Sequence, residues 1–203
     1  METKSVSVEC EALRETIIQE AMRQILKLGL KKFTVEDIAK ELGVSKKTIY
    51  KYFSTKNEII SAVVEFVLEK EKIYTQGVME MEGSSITKMD ALLFFHAGDN
   101  VPPWVVDELR RYYPKEYQKR EAIQLMKKEC FNRLLLEGVQ AGVIRKDCNQ
   151  GIINMMVRQT VDAILDGEFL RSQDLTLTQA IRHLKEIVLY GIVARTEGER
   201  KSE

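Results

Sequence analysis

Cysteine and histidine are scarce in this 203-residue chain, with three and two copies. The cysteines (Cys10, Cys130 and Cys148) are widely spaced and form no CxxC pair, so the sequence has neither a disulfide framework nor a cysteine-based metal or redox motif. His96 and His183 lack the E-x-x-H spacing of helical metal sites, and no P-loop, G-x-G-x-x-G or G-x-S-x-G occurs. We therefore predict no metal site, no cofactor and no catalytic residue, which argues against an enzyme.

Long apolar runs are also missing. The longest apolar stretches, ALLFF at 91–95 and IVLYGIVA at 187–194, fall well short of the ~18 residues of a membrane span. The first ten residues, METKSVSVEC, lack the apolar centre of a signal peptide. Together with the unpaired cysteines, these features predict a cytoplasmic protein with no membrane partner.

An excess of one charge is absent too, since 31 basic residues balance 31 acidic ones. The balance is uneven along the chain, however. Residues 1–56 carry nine lysines and two arginines against eight acidic residues, which leaves 20 basic and 23 acidic residues in the remainder. A polyanionic partner would therefore bind a local patch near the N-terminus.

The stretch TVEDIAKELGVSKKTIYKYFSTK (34–56) contains two short helical patterns joined by Gly43, a residue that tolerates the positive φ of a tight turn. Ser45 is a suitable N-cap for the second pattern. Ile49 and Phe53 are four residues apart and face a core. The side chains left facing outward are polar or basic: Lys46, Lys47, Thr48, Tyr50 and Lys51. This layout predicts a helix-turn-helix.

A solvated surface helix is the alternative interpretation of this outward face. Such faces usually include glutamate, yet none occurs between Glu41 and Glu58. Lysine and threonine bond to phosphates and base edges, and tyrosine adds a rigid phenol. The composition of this face therefore favours DNA binding.

The remaining pattern is helical throughout, and we predict an all-α fold. A first helix spans Glu11 to Gly29, and Thr34 opens a second with a capping box to Asp37. Thr55 and Glu58 form another capping box at the start of a long fourth helix. Beyond residue 54, helices are predicted at 55–81, 85–96, 104–113, 115–140, 150–167 and 176–195.

The run from Thr34 to Ile60 closely resembles the DNA-binding domain of the TetR/AcrR family of bacterial transcription regulators, and the resemblance covers residues 11–65. The family pattern is matched at Thr34, Ile38, Ala39, Gly43, Val44, Ser45, Thr48, Ile49, Tyr50, Tyr52, Phe53, Lys56 and Ile59. Lys47 departs from the family, in which a small residue, often glycine, is common. This departure is expected to change base preference or to add a phosphate contact.

The resemblance implies which residues contact DNA. Family positions that touch phosphates or base edges correspond to Thr34, Ser45, Thr48, Tyr50, Tyr52 and Lys56. On their chemistry we add Lys46, Lys47 and Lys51. No catalytic role is implied for any residue of the chain.

The resemblance also implies two parts and a homodimer. We expect a helix-turn-helix DNA-binding domain at 1–54, with its core at 11–54, and a helical effector-binding and dimerisation domain at 55–203. In the family, the last two helices pair with those of a second subunit. The corresponding apolar residues here are Val157, Val161, Ile164, Ile181, Leu184 and Val188.

A small-molecule pocket among the helices of the second domain is a further implication of the resemblance. Three tyrosines and one tryptophan lie between residues 104 and 117, a high local density for a chain that is 7% aromatic. Such residues suit an apolar or aromatic ligand. The candidates for the pocket lining are Phe94, Phe95, His96, Trp104, Tyr112, Tyr113, Tyr117, Met126 and Phe131, although each could equally be an ordinary core or surface aromatic.

The expected function is transcriptional regulation, most simply repression of a palindromic double-stranded operator that an apolar or aromatic effector relieves. One alternative is a DNA-binding regulator without an effector, controlled by a protein partner. A second alternative is a helical enzyme or carrier whose basic N-terminus is incidental.

Overall fold

The structure is a computed structural model that describes residues 2–98, 101–165 and 168–193, without the side chains of 2–10, 94–98, 103, 162 and 165. The described residues form helices and no strand, with one isolated antiparallel bridge between Ile144 and Val193, which confirms the all-α class. No helix in these ranges has the length and apolar content to span a membrane. The helices are α1 Glu2–Leu28, α2 Val35–Glu41, α3 Lys46–Tyr50, α4 Lys56–Glu80, α5 Ser85–Gly98, α6 Pro103–Tyr112, α7 Pro114–Gln140, α8 Gln150–Leu165, α9 Glu168–Ser172 and α10 Leu177–Ile192.

Local sequence signals set the boundaries of the first three helices. Gly29 has φ +92° just after α1, and Gly43 has φ +65° between α2 and α3, where glycine avoids the strain of a Cβ. The capping box at α2 is confirmed: the Asp37 N–H donates to Thr34 Oγ1 at 3.1 Å, and the Thr34 N–H donates to Asp37 Oδ2 at 3.0 Å. Ser45 Oγ accepts the Thr48 N–H at 3.0 Å and begins α3.

Most helix ends differ from the prediction by one to three residues, and three features differ by more. Helix α1 begins at Glu2 rather than at residue 11, because residues 2–10 lack apolar periodicity but contain no proline or glycine that would break a helix. The capping box predicted at α4 is only half formed. Glu58 donates its N–H to Thr55 Oγ1 at 3.1 Å, but its carboxylate accepts the Ser54 N–H at 2.7 Å instead of that of Thr55. Helix α9 was not expected as a separate element.

The chain divides into two compact units. The first unit comprises Met1–Lys70 and Trp104–Arg120, and the second comprises Glu71–Pro103 and Glu121–Glu203. The predicted functional division after residue 54 stays a prediction. The core of the first unit includes Ile17, Ala21, Ile25, Leu30, Phe33, Ile38, Ile49, Phe53, Ile59, Ile60, Val105 and Leu109.

The second unit has its own core, built mainly where α5, α7, α8 and α10 pack. Its buried members include Met89, Leu92, Phe131, Leu134, Leu135, Ile144, Ile153, Ile164, Ile181, Leu184, Val188 and Ile192. Helix α10 makes its closest packing with α5 and α8. Lys185 adds a 2.8 Å ion pair to Asp90 between α10 and α5.

Candidate nucleic-acid interface

Helix α3 presents the outward face that its sequence predicts. Ile49 and Phe53 are buried, while Tyr50 is 49% exposed. Lys47 and Lys51 are exposed beside Tyr50. The turn before α3 is fixed by the Val44 N–H, which donates to the carbonyl oxygen of Ala39 at 3.0 Å. The buried side therefore anchors α3 on α2, and the basic and phenolic side is left open.

The predicted contacts of Thr34, Ser45 and Thr48 are exposed or half-buried, and each of these three hydroxyls already has a hydrogen-bond partner within the protein. Thr34 Oγ1 donates to Asp37 Oδ2 at 2.6 Å. The hydroxyls of Ser45 and Thr48 lie 2.9 Å apart. Tyr52 is half-buried at the end of this segment. The hydroxyls of Thr34, Ser45 and Thr48 thus fix the starts of α2 and α3. Their exposed or half-buried positions keep them available to a ligand on the same surface.

Lys46 differs from the other lysines of α3 because it has an acidic partner. Its Nζ lies 2.7 Å from Oε2 of Glu36 on α2. That hydrogen bond and the charge of Glu36 raise the pKa of Lys46 above its ordinary value, against a smaller opposing effect of burial. The sequence pattern missed Glu36, which precedes Lys46 by ten residues and reaches the α3 surface from a neighbouring helix.

Lys56, the predicted phosphate contact at the start of α4, is tied to the link between α1 and α2. Its Nζ donates to the carbonyl oxygen of Lys31 at 2.9 Å and lies 4.3 Å from the ring centroid of Phe33. Burial lowers the pKa of Lys56, and the nearby carboxylate of Glu108 offsets part of that effect. An ammonium group has three donors, so this internal bond leaves capacity for a phosphate.

Helix α6 covers the same link. Trp104, Glu108 and Tyr112 are spaced by four residues and lie along one face of the helix. Glu108 Oε2 accepts the Leu30 N–H at 2.7 Å, and the ring centroid of Tyr112 lies 4.1 Å from Lys31 Nζ. A Cβ built on Gly29 would lie 2.7 Å from the Trp104 ring.

The residues predicted to line an effector pocket are divided between the two units. Trp104, Tyr112, Tyr113 and Tyr117 belong to the first unit, and Tyr113 donates to Asn57 Oδ1 at 3.4 Å. In the second unit, Phe131 is buried in the core and Met126 is half-buried. The side chains of Phe94, Phe95 and His96 lie outside the described residues. Trp104 and Tyr112 remain 43% and 47% exposed, and the effector pocket stays a prediction.

The residues predicted for the dimer interface lie mainly inside the second unit. Ile164, Ile181, Leu184 and Val188 are buried in its core, and Val157 and Val161 pack against that core. The same helices carry apolar side chains on a second face. The apolar period of the sequence did not distinguish the face that enters the core from the face that is left exposed. Among the described side chains, the large apolar residues exposed on α8 and α10 are Ile152, Met155, Met156, Ile187 and Tyr190.

Comparison with known proteins finds a family match over the helix-turn-helix. Residues 17–63 match the family model described as bacterial regulatory proteins, tetR family. The matched range contains α2, α3 and the start of α4, together with the C-terminal part of α1 at 17–28. It therefore includes every residue predicted to contact DNA.

Relatives extend this similarity over most of the chain. The uncharacterized HTH-type transcriptional regulator YvaF of Bacillus subtilis (strain 168) is 25% identical over 90% of this chain and 97% of its own length. The fatty acid metabolism regulator protein of the same organism is 27% identical over 87% of this chain and 93% of its own length. Both names describe regulators.

A solved structure shows the same fold. The transcriptional regulator FadR from Bacillus subtilis, in complex with stearoyl-CoA, superposes with a TM-score of 0.65 at 23% identity and covers 88% of this chain and 98% of its own. The helix-turn-helix with its basic outer face, the family model and the full-length relatives agree. Residues 17–63 of this chain therefore form a DNA-binding domain of the bacterial regulatory proteins of the tetR family.

Proposed function

We propose that the protein is a homodimeric transcriptional repressor that binds a palindromic operator through α3 and dissociates when a small lipophilic ligand binds. The observation that carries the DNA-binding part is the outer face of α3. Lys47, Tyr50 and Lys51 are exposed there, and buried Ile49 and Phe53 hold the helix in place. A helix of this kind suits the major groove, with lysines on phosphates and the phenol near base edges.

We propose further DNA contacts from residues around α3, mostly at the starts of helices. Thr34, Ser45 and Thr48 place exposed or half-buried hydroxyls at the starts of α2 and α3. Lys56 adds an ammonium at the start of α4, and Tyr52 adds a half-buried phenol. These groups orient the protein on the phosphate backbone and carry little sequence information.

Replacing Lys47 or Lys51 with glutamine is expected to weaken DNA binding and to lower its salt dependence. Each lysine that contacts a phosphate releases counterions, so each variant should reduce the slope of log K against log salt by about 1. The measurement is fluorescence anisotropy on a duplex selected from random DNA, at several salt concentrations.

Lys128→Gln is the matched control, because Lys128 is exposed on α7 in the second unit. It should leave both affinity and slope unchanged. Equal salt slopes for the native chain and for the Lys47 and Lys51 variants would contradict the assignment of α3 as the DNA-binding helix.

For the dimer, we propose the second apolar face of α8 and α10. Met155 is 52% exposed, Ile187 67% and Tyr190 80%. Large apolar side chains exposed on two helices that pack together are typical of an association surface. A second copy is the occupant that a palindromic operator requires, because each half-site needs its own recognition helix.

Replacing both Ile187 and Tyr190 with glutamate is expected to convert the dimer to a monomer, since four carboxylates would enter the interface without partners. Sedimentation velocity gives the oligomeric state, and thermal unfolding checks the fold. Leu125→Glu is the control, because Leu125 is also exposed, on α7. A double variant that stays dimeric would rule out this face.

The ligand part of the proposal is supported by the relative solved with stearoyl-CoA. The alternative is a regulator without a small-molecule ligand, controlled by a protein partner. Stearoyl-CoA is a suitable first probe in the anisotropy assay. Because linkage is reciprocal, release of DNA by this probe must be accompanied by an equal weakening of probe binding when DNA is present. Failure of lipophilic probes to release DNA would favour the alternative.

A further inference from the structure

A carboxylate from α2 lies beside the first lysine of α3, on an exposed surface to which the α3 sequence itself adds no acid. Glu36 Oε2 lies 2.7 Å from Lys46 Nζ, and the two side chains are 70% and 51% exposed. The neighbouring lysines, Lys47 and Lys51, are also exposed. Lys46 therefore enters any encounter with DNA already paired with an acid.

The helix caps fix this pair in place. Glu36 is in the first turn of α2, which the Thr34 capping box holds. Lys46 is the first residue of α3, directly after the Ser45 cap. An acidic residue is favourable in the first turn of a helix, and a basic one is not. The carboxylate of Glu36 thus offsets the unfavourable position of Lys46, and backbone geometry brings the two together.

We propose that Glu36 limits the affinity of the protein for DNA of any sequence by occupying the Lys46 ammonium. This inference rests on the proposed function, because it assumes that α3 faces DNA. A phosphate that binds Lys46 must replace Glu36. While the pair is formed it has no net charge, so it neutralises no phosphate and releases no condensed counterion from the DNA. Lys46 consequently adds little to the salt dependence of binding, whereas Lys47 and Lys51 each add a full contact.

The consequence is lower non-specific binding. The electrostatic attraction between lysines and phosphates is independent of sequence and supplies nearly all non-specific affinity. A carboxylate that neutralises one lysine reduces this attraction without changing the α3 backbone. We expected Lys46 to contact DNA directly. Under this proposal, Lys46 contacts a phosphate only when its pair with Glu36 is broken.

A purely structural role for the pair predicts different behaviour. An exposed ion pair between α2 and α3 would raise the melting temperature by only about a few degrees. Its removal would then change thermal stability slightly and leave the salt slope unaltered. The salt slope is accordingly the measurement that separates the two roles.

The experiment compares four variants on a random-sequence duplex by anisotropy over a series of salt concentrations. They are Glu36→Gln, Lys46→Gln, the double variant and Glu41→Gln. Glu41 is the matched control, since it is an exposed acid of the same helix that pairs with Arg23 of α1 at 2.9 Å rather than with α3. The control measures the effect of removing one negative charge without freeing Lys46.

Glu36→Gln should tighten binding by up to about fivefold, the most an exposed pair contributes, and steepen the salt slope by about 1. Lys46→Gln in the native background should leave the slope unchanged. The double variant should return to the native slope, because the freed ammonium is then absent.

Two results would overturn the inference: equal behaviour of Glu36→Gln and Glu41→Gln, or a loss of about one unit of slope in Lys46→Gln alone. If Glu36→Gln does not fold, Lys46→Gln alone decides between an unchanged and a reduced slope. Native protein that shows no salt-dependent DNA binding would overturn the proposed function and the inference together. Native binding with either overturning result would remove the inference alone.

Discussion

Replacing Lys127 with alanine is expected to destabilise the protein by about 3–5 kcal/mol. Lys127 Nζ lies 2.5 Å from Glu71 Oε1, and the two side chains are only 8% and 12% exposed. Gln124 Nε2 adds a weaker bond to the same oxygen at 3.3 Å. Removing the ammonium would leave the nearly buried Glu71 carboxylate without its cation, and the neutral Gln124 amide does not balance that charge. The loss is read from the midpoint of urea unfolding.

A second ion pair between the same two helices is a close control. Lys119 Nζ lies 2.6 Å from Glu65 Oε1, but these side chains are 46% and 60% exposed. Lys119→Ala should therefore cost less than about 1 kcal/mol, because water solvates the remaining carboxylate. Replacing Glu71 and Lys127 together with leucine and methionine should restore most of the stability. Similar losses for Lys127→Ala and Lys119→Ala would show that burial does not decide the effect.

The sequence predicted best those features that depend on neighbouring residues. The caps at Thr34 and Ser45 and the inward positions of Ile49 and Phe53 follow from spacings of three or four residues, and the structure confirms them. Similar local rules gave the all-α class. The start of α1 was missed, because a polar segment can be helical without the apolar period that reveals a helix.

Contacts between distant residues could not be predicted in this way. Glu71 and Lys127 are 56 positions apart, and no local pattern distinguishes them from other charged residues of α4 and α7. The same limit applies to Glu108, whose contact with Leu30 spans 78 positions. Periodicity identifies an apolar face but does not tell whether that face meets the chain's own core, and the burial of Ile181 in the core of the second unit was therefore not predicted.

The contacts of the aromatic residues at 104–117 could not be predicted from composition. Trp104, Tyr112 and Tyr113 were grouped because they are close in sequence and suit an apolar ligand. In the structure they meet Gly29, Lys31 and Asn57. One signal could have indicated this: the four-residue steps from Trp104 to Glu108 and Tyr112 put an acid between two aromatics on one face, which suits a backbone N–H better than a lipophilic ligand.

Replacing Gly29 with alanine is expected to destabilise the protein by about 2–5 kcal/mol. Residue 29 has φ +92°, where an L side chain costs about 1–2 kcal/mol. The added Cβ would also lie 2.7 Å from the Trp104 ring and 2.8 Å from Glu108 Oε2. Moving Glu108 away would break its bond to the buried Leu30 N–H, which costs about 1–3 kcal/mol. Thermal and urea unfolding measure the loss.

Two other glycines separate the causes of this loss. Gly43 also has a positive φ, of +65°, but nothing lies within 4 Å of its added Cβ, so Gly43→Ala should show only the backbone cost of about 1–2 kcal/mol. Gly77 is in α4 with open space around it, and Gly77→Ala should stabilise by about 0.5–1 kcal/mol. Trp104→Ala combined with Gly29→Ala should remove the ring contact but keep the backbone strain. If Gly29→Ala costs no more than Gly43→Ala, then α6 does not restrict the link between α1 and α2, and Glu108 does not stabilise it.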